Sequence, residues 1–476
     1  MRGAIAPLVC LGYLCNRCMS AQKPSIPSGF RDFGPEVMIK RKFIMRTIED
    51  CFIQFGFQPI ETPAIENLKT LTGKYGDEGD QLLYKILNNG DFLDKVPADV
   101  YDKKDSKALL PQIVDKGLRY DLTVPMARYV SMNRSHITFP FKRYQMQTVW
   151  RADRPQKGRY REFWQCDADI IGSTSTFSDI ELLDLYDQAF HKLGLPVIIR
   201  FNNRQVFDAI LAPLAVNDAM RFMQLIDKYD KIGEKVAELL SQEVNAQAVE
   251  IWENLLLANQ EIGNAAKLAK LQLLFPSISQ ELSAEIEQNI KLSSASTGNT
   301  IDLDFTLARG LSYYTGIIYE VLPQPSALPS GFSIGSIGGG GRYDKLTEMF
   351  GFDGGQGVGI SFGLDRIYDV MEAANLLNLQ AQANQNVLIC IMDEANMHAG
   401  YTLCQSLIKQ GIAAQFYPQA AKLRKQLDYA NAQNIQFAAI IGQTEMDNGT
   451  ATIKNLITGE QQEMALTLIE KHIKPI

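Results

Sequence analysis

Apolar residues repeat at helical spacing near the start of the chain. From Pro35 onward, the predicted helix carries one apolar face, made of Ile44, Ile48, Phe52 and Phe55. Gly56 is the residue at which this helix is predicted to end. The segment that follows, FQPIETPAIE, has the pattern of a strand that is broken at Pro63. A helix followed by an interrupted strand is therefore expected here.

Polar and alternating segments follow. Residues 88–117 are rich in turn-forming and charged residues and predict a surface loop. Residues 118–171 alternate short apolar runs with turns, as in LRYDLTVPMARYV, FKRYQMQTVWR and REFWQCDADII, which predicts antiparallel strands. On the last of these strands Gln165, Asp167 and Asp169 share one face. Carboxylates on a core face are costly unless paired, so a cationic or N–H-rich ligand is expected beside them.

The second half of the chain changes texture twice. Residues 205–297 have 3.6-residue periodicity and carry 7 Lys and Arg against 13 Asp and Glu, which predicts an acidic helical insertion. Strand-like patterns return after residue 300, and GVGISFGLDRIYDVM indicates a strand that leads into a helix. From residue 386, strands alternate with helices, ending in a helix near 463–472, as in a small α/β domain. The polar stretch 377–385 is the predicted domain boundary.

Composition excludes several classes of protein. The 476 residues are 46% hydrophobic and 21% charged, as in ordinary globular chains, and the net charge of −7 argues against a basic nucleic-acid coat protein. The seven cysteines are odd in number and unevenly spread, with a single CxxC spacing at Cys15 and Cys18 in the leader, which argues against a disulfide framework and against zinc, and the four histidines form no H-E-x-x-H motif. The longest nearly uncharged apolar stretch, 3–15, is too short to span a membrane. Residues 1–18 are a leader of doubtful status: an unstructured or artefactual leader, a targeting segment, or an ordered part of the fold.

The most charged segment surrounds a predicted hairpin loop. Residues 142–161 contain seven Lys and Arg, with aromatic residues between them. Such a loop could hold several phosphate oxygens, so a polyphosphate or nucleic-acid strand is one interpretation and a solvated charged loop is the other. Two glycine-rich segments, 333–344 and 355–363, match neither the dinucleotide-binding motif nor the P-loop. We interpret them as the floor and wall of a pocket, with simple bulges as the alternative.

Five motifs together resemble the class II aminoacyl-tRNA synthetases, most closely the histidyl-tRNA synthetase family. They are YDLTVPMARY (120–129), WRADRPQKGRYREFWQCDADIIG (150–172), LARGLSYYTG (307–316), GGGGRYD (338–344) and GVGISFGLDR (357–366). The resemblance implies an α+β protein with an antiparallel catalytic sheet flanked by helices, a helical insertion, and a C-terminal α/β anticodon-binding domain. It also implies a homodimer.

The expected domain limits rest on this resemblance and on the positions where the pattern of apolar and polar residues changes. A class II catalytic domain is expected over 19–385, after the leader 1–18. The helical insertion within it covers 205–297, and the anticodon-binding domain covers 386–476.

The resemblance also implies an ATP site. Arg151 would hold the α-phosphate of ATP together with the carboxylate of histidine, while Phe163 and Arg366 enclose the adenine. Arg309 would stabilise the charge that develops at the α-phosphorus, with Mg²⁺ on the outer phosphates. Arg151 and Arg309 are thus the implied catalytic residues. Ser312 stands where the family usually has Asp, which removes one carboxylate beside Arg309.

Histidine and tRNA sites follow from the same resemblance. Residues that would bind the α-ammonium group of histidine are Asp121, Thr123 and Gln165. Asp169 and Tyr314 would bind the imidazole N–H groups, and Tyr313 would line the pocket. Gln156 and Lys157, in the hairpin loop, would meet the acceptor end of tRNA. Polar recognition of this kind rejects apolar amino acids strongly, so no editing domain is needed.

The activity implied is ATP-dependent ligation of L-histidine to tRNA(His) through a histidyl-adenylate, with release of AMP and pyrophosphate. The expected location is the cytoplasm, without membrane association. The alternative is a non-catalytic, histidine-binding regulatory paralogue. Because Arg151, Arg309, Arg366 and the segment 386–476 are all present, the sequence favours the enzyme.

Overall fold

A computed structural model describes residues 23–73, 80–94, 96–292, 297–308, 314–377 and 387–473. These residues form two compact units, which meet in the sequence between Leu376 and Leu377. No helix in the described ranges is both long and apolar enough to cross a membrane.

Eleven strands belong to the described part of the first unit. They are β1 (Gln58–Pro59), β2 (Ile65–Asn67), β3 (Lys85–Leu87), β4 (Val114–Leu118), β5 (Phe141–Trp150), β6 (Glu162–Ile171), β7 (Val197–Asn203), β8 (Thr300–Leu303), β9 (Ile317–Pro323), β10 (Gly338–Tyr343) and β11 (Gly357–Gly363). Its helices outside the insertion are α1 (Pro35–Gln54), α2 (Leu68–Leu71), α3 (Ala98–Asp102), α4 (Ser106–Ile113), α5 (Thr123–Asn133), α6 (Thr176–Leu193) and, after the insertion, Leu364–Ala373.

The main sheet has eight strands in the order β1-β5-β6-β11-β10-β9-β7-β8. Neighbours from β5 to β7 are antiparallel, whereas the edge strands β1 and β8 pair in parallel with β5 and β7. The antiparallel sheet predicted from the sequence is thereby confirmed. A second, smaller sheet joins β2, β4 and β3.

Aromatic side chains fasten helices to one face of the main sheet. The Phe362 ring of β11 lies 5.8 Å from Phe52 of α1, and 4.8 Å and 5.5 Å from Tyr186 and Phe190 of α6. Because strand residues alternate between faces, Ser361 points to the other face. That second face carries the polar residues described below.

The insertion is helical, as predicted. Its helices are α7 (Arg204–Leu211), α8 (Val216–Ile226), α9 (Tyr229–Ile232), α10 (Lys235–Glu243), α11 (Ala246–Asn259), α12 (Asn264–Leu274) and α13 (Gln280–Leu292), and Leu364–Ala373 is accordingly α14. Polar contacts hold it to β8: Lys267 Nζ lies 2.6 Å from Asp302 Oδ1, and Asn264 Nδ2 donates to the carbonyl of Ile301. Its limits at 205 and 297 stay predictions.

Two expectations for the region before the hairpin are wrong. Residues 88–117 are not a loop, since they contain α3, α4 and most of β4. Asp105 caps α4 by accepting from the backbone N–H groups of Lys107 and Ala108. Both helices bury no residue, which explains their polar composition.

The segment YDLTVPMARYV forms helix α5 rather than a strand. The Asp121 carboxylate accepts from the backbone N–H of Val124 at 3.1 Å, which satisfies one of the free donors of the first turn. Pro125 also lies in that turn, where its missing N–H costs nothing. Val124, Ala127 and Val130 are buried at helical spacing, so the alternation was only apparent.

The second unit has the predicted α/β character. Its elements are β12 (Val387–Ile391), α15 (Met397–Lys409), β13 (Ala414–Phe416), α16 (Leu423–Ala432), β14 (Phe437–Ile441), α17 (Gln443–Asn448), β15 (Thr450–Asn455), β16 (Gln461–Ala465) and α18 (Ile469–His472). The strand order is β13-β12-β14-β15-β16, parallel in the first three and antiparallel thereafter. The expected helix near 463–472 is wrong except at Ile469–His472, because β15 and β16 pair as a hairpin whose turn places Gly459 at φ +79°.

Candidate active site

A polar pocket lies on the open face of the main sheet. Its polar side chains are Thr123, Asp167, Asp169, Tyr314, Tyr343 and Ser361. The backbone of Gly339 and Gly359 completes its wall. The pocket thus brings together Thr123, Asp169 and Tyr314, three of the residues for which the family resemblance implies a role in binding histidine.

Strand register places the pocket floor. Asp169 of β6 lies between Arg143 of β5 and Gly359 of β11. Two residues earlier on β6, Asp167 lies between Gln145 and Ser361 in the same way. Period-two alternation puts both rows on one face of the sheet.

Asp169 is held by two buried partners. Arg143 Nη2 lies 2.6 Å from Asp169 Oδ2, and the Tyr343 hydroxyl donates to Asp169 Oδ1. Arg143 is 0% exposed and Asp169 is 2% exposed. Burial raises the pKa of Asp169, while Arg143 and the Tyr343 hydrogen bond act in the opposite direction. Two buried partners therefore orient the carboxylate.

Asp167 is equally buried but less well paired. Burial raises its pKa to about 7, opposed by Arg143 and by a hydrogen bond from Ser361. Its Oδ1 atom is buried and has no hydrogen-bond partner in the described part of the chain. Two carboxylates beside one arginine leave the floor negative when both are ionised. A cationic, N–H-rich ligand is the chemistry that such a floor favours.

The glycines of β10 and β11 are required by close packing. A Cβ atom on Gly359 would overlap Asp169 Oδ1, and one on Gly341 would lie 2.6 Å from the carbonyl oxygen of Ile317 and 2.9 Å from the Tyr314 ring. The two strands pair without a shift of register. These glycines therefore make room for the carboxylate and the tyrosine, as expected for the floor and wall of a pocket.

The loop between β5 and β6 is the predicted hairpin. Its tip is closed by backbone hydrogen bonds between Gln156 and Arg159, with Gly158 at φ +71°. Gln156 and Lys157 are exposed, and Lys157 Nζ lies 4.1 Å from the centre of the Phe332 ring.

Arg151 lies at the base of this hairpin. Its Nε donates to the carbonyl of Tyr120 at 3.1 Å, and its guanidinium lies 4.2 Å from the Tyr120 ring centre and 5.1 Å from that of Phe163. Arg366, in the first turn of α14, donates to the carbonyls of Gly158 (2.7 Å) and Ser336 (2.6 Å). Arg151 thus adjoins Phe163, and Arg366 adjoins the hairpin tip.

Of the remaining predicted site residues, some lie near the pocket and others lie outside the described residues. Gln165 Nε2 donates to Ser361 Oγ at 3.0 Å, at the edge of the pocket. Asp121, two residues before Thr123, accepts from the backbone N–H of Val124 in the first turn of α5. Arg309 and Tyr313 lie outside the described residues, as do Ser312, the leader 1–18 and the expected boundary at 385. In the described ranges, no three His, Cys, Asp or Glu side chains form a cluster that could hold a metal ion.

Comparison with known proteins gives the same result over both units. A family model described as histidyl-tRNA synthetase matches residues 104–367, and one described as anticodon binding domain matches 385–475. A histidine–tRNA ligase of Phocaeicola vulgatus is 46% identical over 447 residues, which are 93% of this chain and 97% of the relative. The chain belongs to the histidyl-tRNA synthetase family.

Other members of the histidyl-tRNA synthetase family agree in sequence and in structure. The histidine–tRNA ligase of Cytophaga hutchinsonii is also 46% identical, over 92% of this chain and 97% of its own. The crystal structure of histidyl-tRNA synthetase from Nostoc sp. PCC 7120 has a TM-score of 0.76 at 30% identity, covering 94% of this chain and 98% of that one. Similarity over nearly the full length extends to both units.

Sequence reasoning missed both partners of Asp169. In the sequence, Arg143 stands out only as one of the basic residues of the hairpin, and Tyr343 only as part of the GGGGRYD motif. The hairpin held only part of the signal for the first: it predicts that the two strands pair, but continuing the Gln156–Arg159 pairing would place Arg143 opposite Gly172, whereas the strands pair Arg143 with Asp169. Nothing in the sequence pairs Tyr343 with Asp169, because that contact depends on the order of strands in the sheet.

Proposed function

We propose that this chain joins L-histidine to tRNA(His). ATP and histidine would form a histidyl-adenylate and pyrophosphate, and the histidyl group would then pass to the tRNA with release of AMP. Family membership supports the reaction. The observation that carries it is the pocket floor, where two buried carboxylates and one buried arginine face a cavity that favours a small N–H-rich cation.

Histidine binding is assigned to the pocket. Asp169 and Tyr314 accept from the imidazole N–H groups, and Tyr313 lines this side. The α-ammonium group belongs to Asp121, Thr123 and Gln165. Support comes from the fixed direction of the Asp169 carboxylate, because hydrogen-bonding groups that are already oriented reject ligands without matching N–H groups.

ATP is assigned to the arginines around the hairpin. Arg151 binds the α-phosphate and the carboxylate of histidine, and adenine lies between Phe163 and Arg366. Arg309 stabilises the charge that develops at the α-phosphorus. The attacking carboxylate is already an anion, so no general base is required. Mg²⁺ would be carried by the nucleotide and would neutralise charge on its phosphates.

tRNA is assigned to both units. Gln156 and Lys157 meet the acceptor end, and the domain expected over 386–476 binds the anticodon. The catalytic domain is placed at 19–385 with its insertion at 205–297. The proposal includes a homodimer in the cytoplasm, in line with family membership.

Pyrophosphate exchange tests the first half of this reaction. We expect the purified full chain to exchange label from pyrophosphate into ATP with histidine and with none of the other nineteen amino acids. Charging of tRNA(His) should follow when tRNA is added. Tight binding of histidine without any exchange would contradict the proposal and favour a regulatory, non-catalytic role.

A conservative variant tests the assignment of the imidazole. Tyr314→Phe keeps the ring in the pocket and removes the hydroxyl, so the KM for histidine should rise about tenfold with little change in the KM for ATP. Tyr129→Phe, in α5 and outside the pocket lining, is the matched control. Equal kinetics for the wild type and Tyr314→Phe would remove Tyr314 from the assignment.

A further inference from the structure

Helix α14 is tied to strand β6 and its hairpin at more than one point. The Tyr160 hydroxyl donates to Asp369 Oδ2 at 2.7 Å, and the backbone N–H of Trp164 donates to Asp365 Oδ2 at 2.9 Å. Residues four apart lie on one face of a helix, so Asp365 and Asp369 face the hairpin together. These contacts add to the one between Arg366 and the hairpin tip.

A segment near the start of the described chain contacts both of these connections, one at Asp365 and the other at Tyr160. Arg31, in residues 28–33, donates to Asp365 Oδ1, and its guanidinium lies 3.2 Å from the centre of the Tyr160 ring. Arg41 of α1 donates to the same carboxylate oxygen at 2.7 Å. Asp365 is only 2% exposed, so these charge-assisted bonds are made in a desolvated setting, where they are strongest.

The backbone of this 28–33 segment also lies on the hairpin. The backbone N–H of Arg161 donates to the carbonyl of Gly29 at 3.0 Å, and its guanidinium donates to the carbonyl of Ser28. Gly29 has φ +87°, and a Cβ atom there would come within 2.9 Å of both Arg161 and Pro155. Glycine therefore permits a contact that a larger residue would push apart.

Asp365 and Trp164, which form one of these connections, are sequence neighbours of the proposed adenine-site residues. Asp365 precedes Arg366 in α14, and Trp164 follows Phe163 in β6. The Asp365 carboxylate therefore links helix α14, which carries Arg366, to strand β6, which carries Phe163. These are the two sides of the proposed adenine site. The position of Asp365 itself depends on the two arginines that neutralise it.

We propose that Arg31 is a positioning residue for ATP. Acting through Asp365 and Tyr160, it sets the distance between Phe163 and Arg366. A nucleotide base stacked between two groups tolerates little change of their separation, so loss of Arg31 weakens ATP binding and leaves the histidine pocket as it is. The inference rests on the proposed function, since it takes its adenine site from there.

Loss of the Arg31 charge should weaken ATP binding, as loss of its contacts should. Burial raises the pKa of Asp369, and the hydrogen bond from Tyr160 and the charge of Arg31 oppose that rise. Without Arg31, Asp365 and Asp369 would be two carboxylates with less compensation beside the site of a polyanion. Both effects therefore predict a higher KM for ATP.

Steady-state exchange kinetics on the full chain test the proposal with Arg31→Ala and Arg31→Lys. We expect Arg31→Ala to raise the KM for ATP roughly tenfold while the KM for histidine stays within about twofold. Arg31→Lys keeps the charge but loses the planar contact with Tyr160, so its KM for ATP should lie between those of the wild type and Arg31→Ala. If Arg31→Ala fails to fold, Arg31→Lys decides: a KM for ATP that rises alone supports the positioning role, and two unchanged KM values overturn it.

The matched control is Lys267→Ala. It removes another largely buried ion pair of the same unit, the one with Asp302, and should change neither KM. An Arg31→Ala protein whose KM for ATP is unchanged, or whose two KM values rise equally, would overturn the positioning role.

Failure of the proposed function would be recognised separately. In that case the unchanged chain shows no histidine-dependent exchange. Equilibrium dialysis with labelled ATP then decides the positioning role alone: weaker binding by Arg31→Ala supports it, and equal binding overturns it.

Discussion

The pocket floor and the hairpin loop both carry many charges, but they hold them in different ways. On the floor, Arg143 and Asp169 face each other from neighbouring strands and are 0% and 2% exposed. In the loop, Lys157 and Arg159 are exposed, and Arg159 Nε lies 3.6 Å from Asp153. The floor is fixed by the sheet, whereas the loop charges lie in water.

Because of this difference, the floor can select between ligands, whereas the loop only attracts negatively charged ones. Buried hydrogen-bonding groups discriminate between ligands, because a ligand without the matching group leaves them unpaired at a high cost. Exposed cations attract any phosphate and are screened by salt. Substitutions on the floor should therefore have large effects on stability and on the choice of amino acid, and substitutions in the loop small effects confined to nucleic acid.

The largest effect is expected for Asp169→Asn. It leaves the buried charge of Arg143 without its partner, so the free energy of unfolding should fall by about 3–5 kcal/mol and histidine-dependent exchange should be lost. Glu372→Gln removes one of two carboxylate partners of Lys40, in a pair whose glutamate side chain is 45% exposed, and should cost about 0–1 kcal/mol. Urea unfolding of the two variants measures the contrast, and equal losses would contradict it.

The next effect is a pH dependence that comes from Asp167. An unfolded aspartate loses its proton near pH 3.8, whereas Asp167 in the fold does so at about 7. Between these values the folded state binds the extra proton, so the contribution of Asp167 to stability falls as the pH rises from about 4 to about 7 and is constant above. The full penalty is at most about 4 kcal/mol.

Asp167→Asn isolates this contribution. The variant should gain in free energy of unfolding relative to the wild type between pH 5 and pH 8, as measured by urea unfolding at both values. A difference between variant and wild type that is the same at both pH values would show that Asp167 does not carry the penalty.

A smaller effect is expected for Gly359→Ala. The added methyl group would overlap the Asp169 carboxylate in a strand that has neighbours on both sides, at a cost of about 1–3 kcal/mol in stability. Displacing that carboxylate should lower the kcat/KM for histidine about 100-fold. Gly34→Ala is the control, since a Cβ there meets nothing within 4 Å and φ is −70°. Unchanged kinetics in Gly359→Ala would mean that the carboxylate can move.

The sequence predicts the floor and the loop to different extents. The β5–β6 hairpin was predictable because both strands alternate and a turn separates them, and that hairpin supplies Gln165 and Asp169. α5 was not, because its apparent alternation hid a helical face that starts at the Asp121 cap. Local patterns thus reveal an element only when one periodicity dominates.

Long-range partners limit what can be predicted about the site. Thr123 and Tyr314 were assigned through motifs of a known family, and the structure brings them into one pocket. Tyr343 and Ser361 were missed, since they reach the carboxylates from strands far along the chain. Which strands become neighbours depends on the packing of the whole sheet and not on any local pattern.

The smallest effect belongs to the exposed loop. Lys157→Ala should raise the KM for tRNA in the charging reaction about three- to fivefold and leave pyrophosphate exchange unchanged, because one screened cation contributes little and histidine activation does not involve it. Added salt should diminish the difference between variant and wild type. Lys103→Ala, an exposed lysine that follows α3, is the control for loss of surface charge. If Lys157→Ala slowed exchange as well, the loop would take part in activation, and the separation between floor and loop would not hold.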